Sequence, residues 1–105
     1  DQQTEGSPLH HLRGLDPVLR AGTRVDRIGG DAGRFVADVG TPLRQRALRP
    51  GSERGPYSVF ELQQGITVQG GITAPAFGQP GGGVQYLFPE SISGLLQSGA
   101  IRRVP

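Results

Sequence analysis

From residue 23 onward, apolar and polar positions alternate in short runs. Arg24-Val25-Asp26-Arg27-Ile28 predicts a strand stopped by Gly29-Gly30, and Arg34-Phe35-Val36-Ala37 predicts its hairpin partner, with residues 29–33 as the turn. Tyr57 to Leu62 (YSVFEL) is the strongest strand signal, aromatic and β-branched with two interleaved faces, and Ile66-Thr67-Val68 adds another. Val84 to Phe88 predicts a strand with Gln85 and Leu87 on one face and Val84, Tyr86 and Phe88 on the other. Ile101 to Val104 reads as a short edge strand. Helix signals are briefer. Ser7-Pro8 ahead of Leu9 to Leu12, and Asp16-Pro17 ahead of Val18-Leu19, each pair a capping side chain with proline at the first helical position. Thr41-Pro42 predicts a cap for a helix from Leu43 to Leu48 or Arg49, closed by Pro50-Gly51. Pro89-Glu90-Ser91 opens the last helix, where Ile92, Leu95 and Leu96 repeat at helical spacing and Gly99 supplies the stop. The stretch 70–83, GGITAPAFGQPGGG, reads as neither helix nor central strand.

Composition bounds what such elements can build. The 105 residues suffice for one small domain. Glycine (18) and proline (9) make up about a quarter of the chain, at the edge of disordered compositions, but the strands carry enough Val, Ile, Leu, Phe and Tyr for one core. An α+β domain is therefore expected, with Asp1 to Ser7 as a polar linker. No Cys is present, which excludes disulfides, thiolate nucleophiles and Cys-based zinc sites; no Lys is present, which excludes a P-loop lysine and Schiff-base chemistry. The histidines are His10 and His11 alone, a pair expected on the surface, so a metal cage would be mostly carboxylate and no metal is expected. Met is missing even at position 1, as expected of a piece of a longer chain. No apolar run is long enough for a signal sequence or a membrane span. All eleven cations are arginines, yet the formal charge is only +2, an excess that suits a small anionic ligand and does not demand nucleic acid.

Some residues stand out chemically. The three glycines Gly81, Gly82 and Gly83 run into a strand, where they serve either as a permissive turn or as an anion-accepting concavity of backbone amides. Gln85 follows them, an amide that both donates and accepts, although strand glutamines commonly face water. Arg46 lies on the helix after Thr41-Pro42, where a solvated charge is the ordinary expectation. Asp26-Arg27 reads as an exposed strand pair of little consequence. Phe35, Phe60 and Phe88 suit a core, whereas Phe77, in a Gly/Pro loop, suits stacking on a planar ligand.

The order of these pieces is recognisable. Val25-Asp26-Arg27-Ile28-Gly29, Gly33-Arg34-Phe35, Gly40-Thr41-Pro42 running to Arg46-Ala47-Leu48, Pro56-Tyr57 with Val59-Phe60, and Ala74 to Tyr86 (APAFGQPGGGVQY) follow one another, and Gly99 to Val104 closes the series. Residues 23–104 thereby resemble the tuberculosis necrotizing toxin family of NAD(P) glycohydrolases. The resemblance implies a compact, β-rich single domain over 23–105, behind an N-terminal linker and short helices over 1–22. It implies a twisted, mainly antiparallel sheet, with further short helices mid-chain and near the C-terminus. It also implies hydrolysis of NAD or NADP to ADP-ribose and nicotinamide, with the dinucleotide as substrate and no cofactor. Gln85 and Arg46 are the implied catalytic residues; Phe35, Arg27, Ser58, Phe77, Gly81, Gly82 and Gly83 are the implied substrate-binding set. Family members are typically C-terminal domains of larger secreted or contact-delivered toxins that act in the target cytosol, often opposed by an immunity protein. Two positions depart from the pattern. Ile28 stands where several relatives have an aromatic residue, leaving the nicotinamide pocket less aromatic. Ser58 stands where mycobacterial relatives carry a functionally important histidine, which lowers turnover or leaves Ser58 to hold the ribose.

The residue chemistry permits this reaction. Nicotinamide leaves NAD as a neutral group, so no acid has to protonate it, and the difficulty is an electron-deficient ribose. Fixing the ribose hydroxyls and gripping the diphosphate directs binding energy toward the dissociating geometry. Asp26 and Glu61 are the candidate bases for water. An ADP-ribosyltransferase acting on a macromolecule, and a non-catalytic arginine-rich module binding nucleic acid or another anion, are the alternatives.

Overall fold

The computed structural model describes residues 9–11 and 16–105. Along them run β1 (Leu9–His11), β2 (Val18–Leu19), β3 (Arg24–Ile28), β4 (Phe35–Asp38), α1 (Leu43–Arg46), β5 (Tyr57–Leu62), β6 (Ile66–Thr67), β7 (Gln69–Thr73), β8 (Val84–Leu87), α2 (Ile92–Ser98) and β9 (Ile101–Val104). Seven strands form one sheet in the order β1-β7-β8-β4-β3-β5-β9, with every neighbouring pair antiparallel, and β2 and β6 form a separate ribbon. This is the mainly antiparallel α+β architecture expected.

Register decides which side chains share a face, because a strand alternates with period two. Val25 stands opposite Phe60, Val36 opposite Tyr86, and Leu62 opposite Ile101. These positions, with Phe88, meet Ile92 and Leu95 of α2 in the buried core. Helix α2 is positioned at both ends: the Ser91 hydroxyl accepts from the Gly94 amide at 3.1 Å, and Gly99 closes the helix at φ +80°. The opposite face of the sheet lies beneath α1.

The structure corrects the sequence reading in four places. Leu9–His11 and Val18–Leu19 are strands, not short helices: β1 pairs with β7 and β2 with β6. Segments this short cannot nucleate a helix, whereas a ready sheet edge supplies hydrogen bonds at once. The Asp1–Ser7 linker, the Ser7-Pro8 cap and the side chains of His10 and His11 lie outside the described residues. Residues 69–73 form an interior strand between β1 and β8; the first proline of that stretch is Pro75, so the ladder donors of Gly70 to Thr73 are intact. Helix α1 ends at Arg46, because Ala47 turns left-handed at φ +47°, and the Thr41 hydroxyl donates back to Asp38 O at 2.7 Å instead of capping. Finally, Asp26 and Arg27 are both buried rather than an exposed pair.

Candidate active site

One rung of the sheet carries the site. Asp26 stands opposite Ala37, Ala37 opposite Gln85, and Gln85 opposite Gly71, so Asp26 and Gln85 project from the same face, two strands apart. Asp26 is fully buried and receives the guanidinium of Arg46, which α1 lowers onto it: Nη1 lies 2.7 Å from Oδ1, and Nη2 donates to Oδ2 at 2.8 Å. Arg46 Nε donates to Thr41 O at 2.9 Å. Oδ2 of Asp26 also accepts from the Gly40 amide at 3.1 Å and the Tyr57 hydroxyl at 2.8 Å. Such saturation is what a buried ion pair requires, since an uncompensated charge there costs several kcal/mol. It also makes Asp26 an anchor for Arg46 rather than a base for water. The Tyr57 phenol is pushed above its ordinary pKa, first by burial and then by its bond to the Asp26 carboxylate. A cavity of about 320 Å³ opens here, walled by Asp26, Ile28, Leu43, Arg46, Glu53 and Tyr57.

Gln85 is only 1% exposed, and neither its amide oxygen nor its amide nitrogen has a hydrogen-bond partner among the described residues. Its immediate rung neighbours, Ala37 and Gly71, have no polar side-chain atom to offer. Leaving a buried donor or acceptor unpaired costs about 1–3 kcal/mol, and native folds keep few such groups. A side chain that sits at this cost in an interior strand is suited to bonds completed by a bound molecule.

The glycine loop does something other than cradle an anion. All three amides have protein acceptors: Gly81 N donates to Arg44 O at 3.1 Å, Gly82 N to Thr73 O at 2.8 Å and Gly83 N to Gln45 O at 3.1 Å. A Cβ on Gly81 would stand 2.5 Å from Thr73 O, at φ +65°, and one on Gly83 would stand 2.8 Å from Thr41 Cγ2. The missing side chains therefore let the loop dock onto α1 and fix the helix that carries Arg46. Gly81→Ala is expected to lose about 2 kcal/mol through this collision and the left-handed backbone. Urea unfolding measures it as a lower midpoint at unchanged slope.

The remaining predicted residues divide between places. Phe35 is half-buried on the Gln85 face, two residues from Ala37. Phe77 is 46% exposed at the tip of a two-residue turn closed by reciprocal Ala76–Gln79 backbone bonds, with Phe77 at φ +53° and Gly78 at φ +72°. These are the signs of a type I′ turn, in which Phe is an unusual first residue. Arg27 and Ser58 face each other across β3 and β5, on the opposite side of the sheet from Asp26 and Gln85. Arg27 folds back over Gly29 to clamp the β3–β4 hairpin, donating from Nε to Gly30 O at 2.8 Å and from Nη1 to Phe35 O at 2.9 Å. Burial lowers its pKa to about 10 against the pull of Asp31. The Ser58 hydroxyl accepts from Arg103, which also pairs with Asp31 at 2.5 Å and covers the Phe60 ring at 5.0 Å. Glu61 is tied to Arg24 and Arg102, both at 3.1 Å; Arg24 foremost holds its carboxyl below the ordinary carboxylate range. Glu61 is thus a surface ion-pair residue.

Sequence reasoning passes over Tyr57 and Thr73, and it offers Asp26 as a base for water where the structure makes it the partner of Arg46. Tyr57 lies inside the Pro56-Tyr57 pair of the family pattern. Thr73 fell in a stretch read as loop. No group of three or more metal-ligating side chains occurs among the described residues, and none of their helices is long and apolar enough to cross a membrane.

Comparison with known proteins identifies the family and the fold. The chain is 33% identical over 94 residues to the conidial surface nicotinamide adenine dinucleotide glycohydrolase nadA of Aspergillus fumigatus, covering 83% of this chain and 40% of the fungal protein. It is 41% identical over 71 residues to the outer membrane channel protein CpnT of Mycobacterium tuberculosis, covering 61% of this chain and 8% of that protein. The chain thus spans less than half the length of either relative. Among solved structures, tuberculosis necrotizing toxin complexed with its immunity factor IFT superposes with a TM-score of 0.69 at 28% identity, over 88% of this chain and 57% of that one. Tse6 in complex with Tsi6 shares the fold, with a TM-score of 0.61 at 15% identity, over 94% of this chain and 73% of that one. The family model for the tuberculosis necrotizing toxin matches residues 18–104, and this chain belongs to that family.

Proposed function

We propose that this domain hydrolyses the nicotinamide–ribose bond of NAD, and of NADP if the 2′-phosphate is accommodated, releasing ADP-ribose and nicotinamide. The observation that carries this reading is the buried, unpartnered amide of Gln85 on the same sheet face as the Arg46–Asp26 pair. A primary amide can donate to one ribose hydroxyl and accept from another, holding the sugar as positive charge develops at C1′. Arg46, already oriented by Asp26 and Thr41, presents a guanidinium in the cavity wall to the diphosphate, and its fixed geometry lowers the ordering cost of binding. Phe35 and Ile28 supply apolar surface to the nicotinamide end. The open cavity stops short of Gln85, so sugar entry requires the loop 81–83 to part from the sheet while α1 stays pinned by the Arg46–Asp26 pair. The activity for which the fungal relative is named, and the complex of the necrotizing toxin with its immunity factor, support the same reading. They support as well a domain that is part of a larger secreted protein and is held by a cognate inhibitor; its place of action would be the cytosol of a target cell, where NAD is abundant.

Incubating the protein with NAD and no other protein tests it. Free ADP-ribose and nicotinamide are expected in equal amounts. Product that forms only when an acceptor protein is added, with ADP-ribose attached to it, would identify a transferase instead, and intact NAD at micromolar protein would remove both readings. Arg24, Arg102 and Arg103 are engaged by carboxylates and Arg46 is buried, so four of the eleven arginines are withdrawn from the basic surface that nucleic-acid binding needs.

A further inference from the structure

We propose that Thr73 is a second substrate-contacting residue, whose hydroxyl holds the same ribose as Gln85; the inference rests on the NAD reading above. Thr73 is 1% exposed, and its buried Oγ1 has no hydrogen-bond partner among the described residues. It shares this condition with Gln85 on the adjoining strand. Gly71, two residues before Thr73, stands opposite Gln85, so strand alternation places the Thr73 side chain on the Gln85 face, one diagonal step away. That diagonal brings Cβ atoms to within roughly 7 Å, a gap one sugar ring can bridge. The backbone around Thr73 is fully used: its amide donates to Gly83 O at 2.8 Å and its carbonyl accepts from Gly82 N at 2.8 Å. In the free protein both backbone groups of Thr73 are thus spent on the loop, while its hydroxyl is not.

The two side chains together offer one amide oxygen, one amide NH2 and one hydroxyl. A vicinal diol has two hydroxyl groups, each able to donate and accept, and matches this set better than a phosphate, which would leave the amide oxygen opposed to an anion. The ligand class assigned to the pair is thus a ribose cis-diol, with Thr73 adding a bond to one of the two hydroxyls that Gln85 engages.

Thr73→Val removes the hydroxyl at constant shape, and Thr73→Ser keeps it. Kinetics on NAD and thermal melting are measured for both alongside the unmodified protein. For Thr73→Val, kcat/KM is expected to fall about tenfold, the loss of roughly one hydrogen bond made to substrate. Its Tm is expected to hold or rise, since an unpaired buried hydroxyl becomes a methyl. Thr73→Ser should keep most of the activity. On NAD lacking the 2′- or the 3′-hydroxyl of the nicotinamide ribose, the Val penalty should vanish for the analogue missing the contacted group. A Val variant with lowered Tm and unchanged kcat/KM would show a structural hydroxyl satisfied by internal water, and would overturn the inference while leaving the NAD reading intact. Failure of the unmodified protein to cleave NAD would instead strike the parent reading, and the melting result would then stand on its own.

Discussion

Gln85→Met is expected to lower kcat for NAD by about 10²–10³-fold, the effect of removing one preorganised polar group from a developing charge, while raising the resistance of the fold to denaturant. Both halves come from one observation. The amide is buried in an interior strand with no partner for either polar atom, so the free protein carries a desolvation cost of about 1–3 kcal/mol per unpaired group. Met has a similar length and no hydrogen-bonding obligation, so it fills the site and relieves that cost. Opposite movement of stability and activity distinguishes a ligand-directed group from a packing one. Gln85→Ala is a poorer variant, because β8 lies between β7 and β4 and truncation there opens a cavity. Equal kcat in the Met variant, with its fold intact, would remove Gln85 from the site.

Arg46→Ala should be the most destabilising single change in the site. It strands the Asp26 carboxylate at 0% exposure, and breaking a buried pair from one side costs about 3–5 kcal/mol. Small domains have only about 5–15 kcal/mol in total, so a large part of the stability is expected to go, and activity measured on this variant would report unfolding as much as catalysis. Arg46→Lys separates the two. The ammonium still neutralises Asp26 but cannot reproduce both contacts to the carboxylate together with the Nε bond to Thr41 O. A cooperative fold with KM raised and kcat lowered is expected from urea unfolding and steady-state kinetics. Wild-type kinetics in Arg46→Lys would assign Arg46 to the architecture alone.

How much of this was legible in the sequence depends on which force decides each element. Strands β3, β4, β5, β8 and β9 and helix α2 could be read because local pattern and tertiary fate agree there: YSVFEL alternates, and Ile92, Leu95 and Leu96 line one helix stripe that is buried in the core. Strands β1, β2 and β7 could not, since their few residues become strands only through partners distant in sequence: β1 against β7, β2 against β6. The glycines stand out in the sequence with two readings open, a permissive turn or a cradle for an anion. Amides without side chains suit a phosphate as well as they suit a neighbouring helix, and only the distances to Arg44, Gln45 and Thr73 carbonyls choose between them. Arg46 and Gln85 were reached by resemblance. What made them chemically distinctive, an Asp26 carboxylate ion-paired to Arg46 and an unsaturated amide two strands away, is a property of register that no local window contains.

The crystal structure of the protein with ADP-ribose bound tests the role of Gln85 most directly. The ribose that carried nicotinamide is expected beneath α1, with its hydroxyls about 3 Å from the Gln85 amide atoms and the loop 81–83 displaced from its place in the free protein. A sugar seated elsewhere, with Gln85 still closed off and unpartnered, would contradict it.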